Sequence, residues 1–173
     1  MTHRPETLEH APLGRESAYP EHYDAGLLYP IPRAANRAPL GIEEGRLPFV
    51  GEDEWHAFEV SWLNARGKPL VAVARFRLPA ESPNLIESKS WKLYLNSFNQ
   101  TRFDSREQVI ETLERDLAKA AGAPVAVELF DVDDAVLAVC RLPGECLDEL
   151  DIEIDDYTPS AEHLTVGEKI VEE

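Results

Sequence analysis

Two segments in the first half of the chain alternate apolar and polar residues, as half-buried strands do. The predicted inward face of the first segment comprises Phe58, Val60 and Trp62. The predicted inward face of the second comprises Leu70, Ala72, Ala74, Phe76 and Leu78. Arg75 and Arg77 would point outward from the second segment. Because a Gly-containing stretch, residues 64–67, separates the two segments, we predict a β-hairpin.

Two segments with helical spacing follow the hairpin. The apolar stripe of the first helix comprises Trp91, Tyr94, Leu95 and Phe98, and we expect Trp91 and Phe98 to pack in the core. The second helix would begin at Ser105, which has capping-box spacing with Gln108, and would end at Gly122. Its predicted buried face comprises Ile110, Leu113 and Leu117.

Two further apolar runs complete the pattern, one at Val125, Val127 and Leu129 and one at residues 136–139. The order strand, strand, helix, helix, strand, strand (ββααββ) predicts an α+β domain with two helices on one face of an antiparallel sheet. The residues from Cys146 onward have no place in this four-strand pattern.

The acidic stretch at residues 148–156 has two interpretations. Its carboxylates suggest a site for a hard cation, but the stretch lacks the glycine and the spacing of an EF-hand loop. Ile152 and Ile154 alternate with the acids, which favours an edge strand with a charged outer face. The five histidines are scattered without metal-ligand spacing, so no metal is assigned.

The first 49 residues predict an extended leader. They are rich in Pro, Gly, Arg and Ala, and Tyr29-Pro30-Ile31-Pro32-Arg33 cannot form a helix interior. Such a segment either lies over another surface, including that of a neighbouring subunit, or is a partly disordered terminus. Residues 50–160 would then form the folded module, and residues 161–173 a linker.

The charge balance limits the partners. The chain has 33 acidic and 17 basic residues and a net charge of −16, which repels nucleic acid and anionic membranes. No apolar run reaches the roughly 18 residues of a membrane span, and no signal-peptide core follows the first residues. Two cysteines are too few for a disulfide scaffold. We therefore expect a cytoplasmic protein that does not bind nucleic acid directly.

The densest chemistry lies in Glu87-Ser88-Lys89-Ser90-Trp91-Lys92-Leu93-Tyr94, at the start of the first helix. The Glu87 carboxylate can accept two parallel N–H bonds from a guanine-like edge. Ser88 and Lys89 lie where free N–H groups and the helix dipole favour an anion. The alternative is a helix start that is merely capped and solvated.

Residues 84–103 resemble the hallmark segment of the 7-cyano-7-deazaguanine (preQ0) reductases, the NADPH-dependent nitrile reductases of queuosine biosynthesis. Residues 87–94 fill every position of the family motif. Other matching stretches lie at residues 47–49, 59–64, 112–117 and 151–157. The resemblance runs from about Tyr23 to Glu173, and it is to the amino-terminal half of the long two-module form.

The resemblance implies a tunnelling fold (T-fold), whose sheets assemble into barrels with ligands at the seams. It implies that Ile86, Glu87 and Ser88 contact the deazapurine, and that Ser88 and Lys89 contact NADPH. Lys92 is either a further phosphate ligand or a solvated helix lysine. The reaction converts a nitrile to an aminomethyl group (preQ1). The implied partners are a second T-fold module, on the same longer chain or a separate one, and further copies of the protein.

The family's catalytic cysteine lies in a Cys-Leu/Pro-Ile/Val-Thr-x-Gln-Pro-Asp stretch. Neither Cys140 nor Cys146 has this context, so both are expected to be small buried hydrophobic residues and no catalytic residue is assigned. The chain would supply the binding half of the enzyme and be inactive alone. The alternative is a non-catalytic purine- or pterin-binding T-fold module or an assembly subunit. A cyclohydrolase-like relative is disfavoured, because metal-ligand Cys and His residues are missing.

Overall fold

The computed structural model describes residues 20–43, 45–134, 146 and 148–163. The chain divides into two units, Met1–Ala138 and Val139–Glu173, and each is described by itself. The first unit holds six strands, three α-helices and two three-residue 3₁₀ helices among its described residues. It is an α+β structure, as predicted, and it is compatible with a T-fold.

Strands β2 (Glu52–Asn64) and β3 (Pro69–Pro79) form the predicted antiparallel hairpin. The side chain of Asn64 accepts the N–H groups of Arg66 and Lys68, both at 2.9 Å. Gly67 completes the turn at a φ of +86°, a conformation that glycine adopts without steric cost. The local turn chemistry therefore places the hairpin where the alternation predicts it.

A β-bulge interrupts β2. Ala57 pairs with Ala74 and Val60 pairs with Ala72, so two residues of β2 lie opposite one residue of β3. Trp55 and Ala57 face the helices before the bulge, and Val60 and Trp62 face them after it. Phe58 is 76% exposed, so the prediction that it shares the inward face was wrong. The extra residue switches the face of the sheet to which alternate side chains of β2 point, although the apolar alternation in the sequence continues through the bulge.

The main sheet has the strand order β5-β2-β3-β6, with β5 at Arg102–Phe103 and β6 at Ala126–Phe130. Only the short β2–β5 pairing is parallel in this described sheet. A second, two-stranded sheet joins β1 (Pro30–Pro32) to β4 (Asn84–Ile86). The structure thus contains three short strands, β1, β4 and β5, that the predicted ββααββ order does not include. Its last strand, residues 136–139, lies outside the described residues.

The α-helices are α1 (Ala34–Arg37), α2 (Ser88–Asn96) and α3 (Arg106–Ala121), and 3₁₀ helices lie at Ala25–Leu27, Ala38–Leu40 and Ala161–His163. Helix α3 begins as predicted, because the Ser105 hydroxyl accepts the Gln108 N–H at 3.2 Å. It ends at Gly122, which has the left-handed conformation that the prediction requires.

Helices α2 and α3 pack on the same face of the main sheet. The fully buried side chains of this core include Val60, Phe76, Leu78, Tyr94, Phe98, Val109, Leu113 and Leu117. Each side chain predicted to be inward on α2 and α3 is either buried or packed against this cluster. Among the described residues, the core that the periodicity predicts is therefore the observed one, apart from Phe58.

The opposite face of the sheet carries an ion network across β2, β3 and β6. Arg75 forms two bonds with the Glu128 carboxylate, at 2.9 and 3.0 Å, and Arg77 reaches the same carboxylate at 2.7 Å. Arg77 also lies 3.4 Å from Glu54. The hydrogen bonds from Arg75, and then its charge, lower the pKa of Glu128, because they favour the ionised carboxylate.

Part of the predicted leader packs against the folded part of the same chain. Residues 23–33, called the arm here, cross the helices and end in β1. The Tyr23 N–H donates to Thr101 Oγ1 at 3.0 Å, and the Asp24 N–H donates to Ser97 Oγ at 3.2 Å. Ile31 is only 8% exposed between its two prolines. The arm is therefore part of the first unit.

In the second unit, residues 148–162 are exposed, and residues 148–163 contain no strand. The predicted edge strand was wrong for these residues, because alternation alone forms no sheet without a paired backbone. Ile152 and Ile154 are 62% and 56% exposed. Cys146 is also exposed, so its prediction as a buried hydrophobic residue was wrong, and Cys140 lies outside the described residues.

Candidate ligand-binding site at the start of helix α2

Glu87 is the N-cap residue of α2. Its Oε1 accepts the Lys89 N–H at 2.9 Å, and its Oε2 accepts the Ser90 N–H at 2.6 Å. The side chain thus satisfies two of the free N–H groups at the helix start with a charged acceptor, where the helix dipole favours negative charge.

The capping interpretation is therefore right about the hydrogen bonds, but the residue is not solvated. Glu87 is only 4% exposed. A carboxylate has about four lone-pair directions, and the cap uses one on each oxygen. The cap and a ligand contact are consequently compatible, and the cap fixes the direction in which the remaining lone pairs point.

The main chain of Glu87 is held from the arm. The Glu87 N–H donates to the Tyr29 carbonyl at 2.9 Å. The Tyr29 N–H donates to Ser90 Oγ at 3.0 Å, and that hydroxyl donates to the Glu87 carbonyl at 2.7 Å. The three residues form a closed circuit around the N-cap.

Ile86, the residue before the cap, belongs to β4 and pairs with Pro30. Its side chain is 1% exposed and is part of the hydrophobic core. A ligand contact by Ile86 would therefore have to come from its main chain.

Ser88 and Lys92 lie one helical turn apart and line the same cavity, whose volume is about 460 Å³. Within the described residues, neither the N–H nor the hydroxyl group of Ser88 has a hydrogen-bond partner. In the same part of the chain, no carboxylate pairs with Lys92. Lys89 does not line this cavity. The structure thus brings Ser88 together with Lys92, and not with Lys89, at the cavity.

The cavity lies between α2 and the bulge of β2, and it has apolar walls with polar side chains along the helix. The Trp55 and Trp91 rings are 4.9 Å apart between centroids, and Phe76 lies edge-on to Trp91 at 5.1 Å. The indole N–H of Trp91 is buried and has no partner among the described residues. The remaining lining residues are His56, Ala57, Phe58, Glu59, Leu95, Asn96 and Asn99.

A buried acid supports the helices behind the site. Asp116 is 6% exposed, and its Oδ2 accepts the hydroxyls of Tyr23 at 2.5 Å and Tyr94 at 2.8 Å. Burial is the main cause that raises the pKa of both phenols, and the neighbouring Asp116 raises it further. Both tyrosines therefore remain protonated donors at neutral pH.

The sequence alone does not point to the bulge residues or to Asp116. Asp116 stands in the charged run Glu114-Arg115-Asp116, which is typical of a solvated helix face. Its helical position places it three residues after Leu113, on the predicted buried face, and this i, i+3 spacing is the local sign that it faces inward.

Two further properties of the described residues bear on the kind of site. They contain no group of three or more His, Cys, Asp or Glu side chains arranged to hold a metal ion. None of their helices combines the length and the apolar character that a membrane span requires.

The fold defines the class, an α+β domain compatible with a T-fold. The family model for the amino-terminal part of the nitrile reductases, "7-cyano-7-deazaguanine-reductase N-term", matches residues 19–129, and the chain belongs to this family.

Relatives named NADPH-dependent 7-cyano-7-deazaguanine reductase are similar over most of the chain. The protein from Chromohalobacter salexigens is 75% identical over 173 residues, which are 100% of this chain and 62% of the relative. That from Bordetella pertussis is 55% identical over 159 residues, 91% of this chain and 58% of the relative. That from Chromobacterium violaceum is 52% identical over 160 residues, 92% of this chain and 57% of the relative. The chain thus spans less than two thirds of each relative's length.

Proposed function

We propose that this chain supplies the substrate- and cofactor-binding part of an NADPH-dependent 7-cyano-7-deazaguanine reductase. The reaction would reduce the nitrile of 7-cyano-7-deazaguanine to the aminomethyl product, consuming two NADPH and two protons. The observation that carries the proposal is the cap of Glu87. A buried carboxylate held by two N–H groups is ready to accept hydrogen bonds from a deazapurine at little cost in side-chain entropy.

The proposed contacts follow the order of the residues. Ile86 would meet the deazapurine through its main chain, Glu87 through its carboxylate, and Ser88 through its N–H or hydroxyl group. Ser88 and Lys89 would also contact NADPH, which supplies the hydride when bound. Lys92 is a further candidate for a phosphate, because it lines the cavity beside Ser88.

The catalytic cysteine is proposed to lie outside this chain, in a second T-fold module. That module would belong to the same longer chain or to a separate one, and further copies would complete a homo-oligomer. Neither cysteine of this chain is assigned a role in the reaction, and the chain alone is proposed to be inactive.

The test is NADPH oxidation with 7-cyano-7-deazaguanine, first with this chain alone and then with the remaining part of the Chromohalobacter salexigens relative added. Activity in the mixture only, lost on Glu87→Gln, is the expected result. Glu111→Gln is the matched control, since Glu111 is an exposed carboxylate on α3.

Three outcomes would contradict parts of the proposal. Activity from this chain alone would place the nucleophile within it. Equal activity of Glu87→Gln and Glu111→Gln would remove Glu87 from the site. No activity in the mixture, combined with binding of the deazapurine by the chain alone, would favour a non-catalytic purine-binding module.

A further inference from the structure

We infer that the arm, residues 23–33, is a positioning element for Glu87, and that Ser90 is the residue through which it acts. The inference rests on the proposed function, because it concerns the carboxylate that is proposed to bind the deazapurine. Ser90 itself is 0% exposed, so it cannot contact a ligand and can influence one only through its neighbours.

The arm supplies the hydrogen bonds that the N-cap main chain cannot make within α2. The Glu87 N–H lies outside the helix and finds its acceptor in the Tyr29 carbonyl, at 2.9 Å. Glu87 has an extended backbone conformation, with φ −66° and ψ 131°. Strand β1 pairs with β4, the three residues before Glu87, and this pairing fixes the direction from which the chain enters the helix.

Ser90 couples this contact to the carboxylate. Its hydroxyl joins the Tyr29 N–H to the Glu87 carbonyl, and its own N–H holds Oε2 of Glu87 at 2.6 Å. Tyr29 and Ser90 hold the main chain of Glu87, and the Ser90 N–H also holds its carboxylate. Because the Ser90 hydroxyl accepts the Tyr29 N–H, Ser90 links the arm to both ends of Glu87. A displacement of Tyr29 would therefore move the carboxylate through a single residue, Ser90.

The arm is fastened independently at its other end. The Tyr23 hydroxyl donates to Asp116 and the Asp24 N–H donates to Ser97 Oγ. At β1, Pro30 and Pro32 have no N–H and only a narrow range of φ, so the segment that faces Glu87 loses little conformational entropy when it docks. The fastening keeps Tyr29 in place without a contribution from a ligand.

The chain contains a matched control for Ser90. Ser97 is also on the α2 side of the arm, is also 0% exposed, and also accepts an arm N–H, that of Asp24. Its hydroxyl donates to the carbonyl three residues earlier, that of Tyr94, at 2.6 Å. Ser90→Ala and Ser97→Ala therefore make the same chemical change at equal burial, and only the first touches Glu87.

The experiment measures amide hydrogen exchange of the ligand-free chain by NMR, and binding of 7-cyano-7-deazaguanine by equilibrium dialysis. In Ser90→Ala, exchange at the Glu87 amide should accelerate and the Kd should rise about fivefold, the size of one lost hydrogen bond. In Ser97→Ala, exchange should accelerate at Asp24 while the Glu87 amide and the Kd stay within twofold of the wild type.

Equal effects of the two substitutions on the Glu87 amide, or no effect of Ser90→Ala, would overturn the positioning role. Failure of the proposed function gives a different pattern, in which Glu87→Gln binds the deazapurine as well as the wild type, or the wild type does not bind it. The exchange comparison decides the inference in either case.

If Ser90→Ala does not fold, Tyr23→Phe releases the arm from its far end. Tyr94→Phe is its control, since it removes a hydrogen bond to the same Asp116 oxygen but keeps the ring that contacts Tyr23 and every hydrogen bond that the arm itself makes. Faster exchange at the Glu87 amide in Tyr23→Phe alone supports the inference, and equal exchange in both variants contradicts it.

Discussion

Tyr23, on the arm, and Tyr94, on α2, donate their hydroxyls to the same atom, Oδ2 of Asp116 on α3. Their rings meet edge to face, with centroids 6.3 Å apart. Arg115 completes the cluster, with its guanidinium 3.0 Å from both Asp116 Oδ1 and the Tyr23 hydroxyl. A single buried carboxylate thereby joins the arm to both helices that support the candidate site.

The contribution of the Tyr94 hydroxyl to the stability of the fold should decrease at alkaline pH. Its pKa is raised above 10.0, chiefly by burial and also by Asp116, so its contribution is complete below pH 10 and is lost as the pH rises further. Tyr94→Phe should cost about 1–3 kcal/mol at pH 7. In urea unfolding between pH 9 and 12, the variant should lose less stability than the wild type. Tyr157→Phe, at an exposed tyrosine, should match the wild type at every pH.

The cap of Glu87 should contribute to stability apart from any ligand. Glutamine keeps one acceptor oxygen but turns an amide NH₂ towards the second helix N–H, so Glu87→Gln should cost about 1–2 kcal/mol. Urea midpoints at constant slope measure this cost, and Glu111→Gln should leave the midpoint unchanged. A midpoint for Glu87→Gln equal to that of the wild type would show that the cap does not hold the helix start.

Gly122 should resist substitution more strongly than Gly41, although both end a helix at nearly the same φ, +73° and +71°. A Cβ at Gly122 would lie 2.6 Å from Cγ of Pro83, whereas a Cβ at Gly41 would meet nothing within 4 Å. Gly41→Ala should therefore cost about 1 kcal/mol from backbone strain alone, and Gly122→Ala clearly more. The difference between their thermal midpoints measures the contact with Pro83. Equal costs would mean that the neighbouring proline moves away freely.

The ion network on the open face of the sheet should add an acid-sensitive contribution to stability. The pKa of Glu128 lies below 4.5, so its contribution is present above pH 4.5 and disappears as the pH falls through the lowered value. The carboxylate side chain is 42% exposed, and solvent screening keeps the effect small. The unfolding midpoint of Glu128→Gln should fall less between pH 6 and 3 than that of the wild type. Parallel curves for the two proteins would contradict this prediction.

The sequence predicts those elements whose signals are local. The turn at Asn64 and Gly67 and the cap at Ser105 each depend on residues within four positions, and the structure confirms them. The pairing of Pro30 with Ile86 is not foreseen, because it joins distant segments and two prolines weaken every strand signal of β1. Short strands that depend on distant partners carry little pattern of their own.

At the candidate site, the motif predicts which residues are candidates for ligand binding but not how their side chains are oriented. Ser88 and Lys89 are adjacent in sequence, yet only Ser88 lines the cavity, since neighbouring helical residues point about 100° apart. Lys92 joins Ser88 because residues four apart share a face. The aromatic wall contributed by Trp55 depends on the bulge, which no alternation of side chains reveals.

The bulge in β2 also determines how the strand would respond to a change in length. Deleting Phe58 or Glu59 would leave a regular ladder in which Ala57 still pairs with Ala74 and Val60 with Ala72, so both halves of β2 would keep their inward faces. Trp55 would stay opposite Phe76, but the cavity would lose one of its lining residues. An insertion in the exposed turn after Asn64 would also leave every pairing in register, so of the two changes only the deletion would alter the cavity wall.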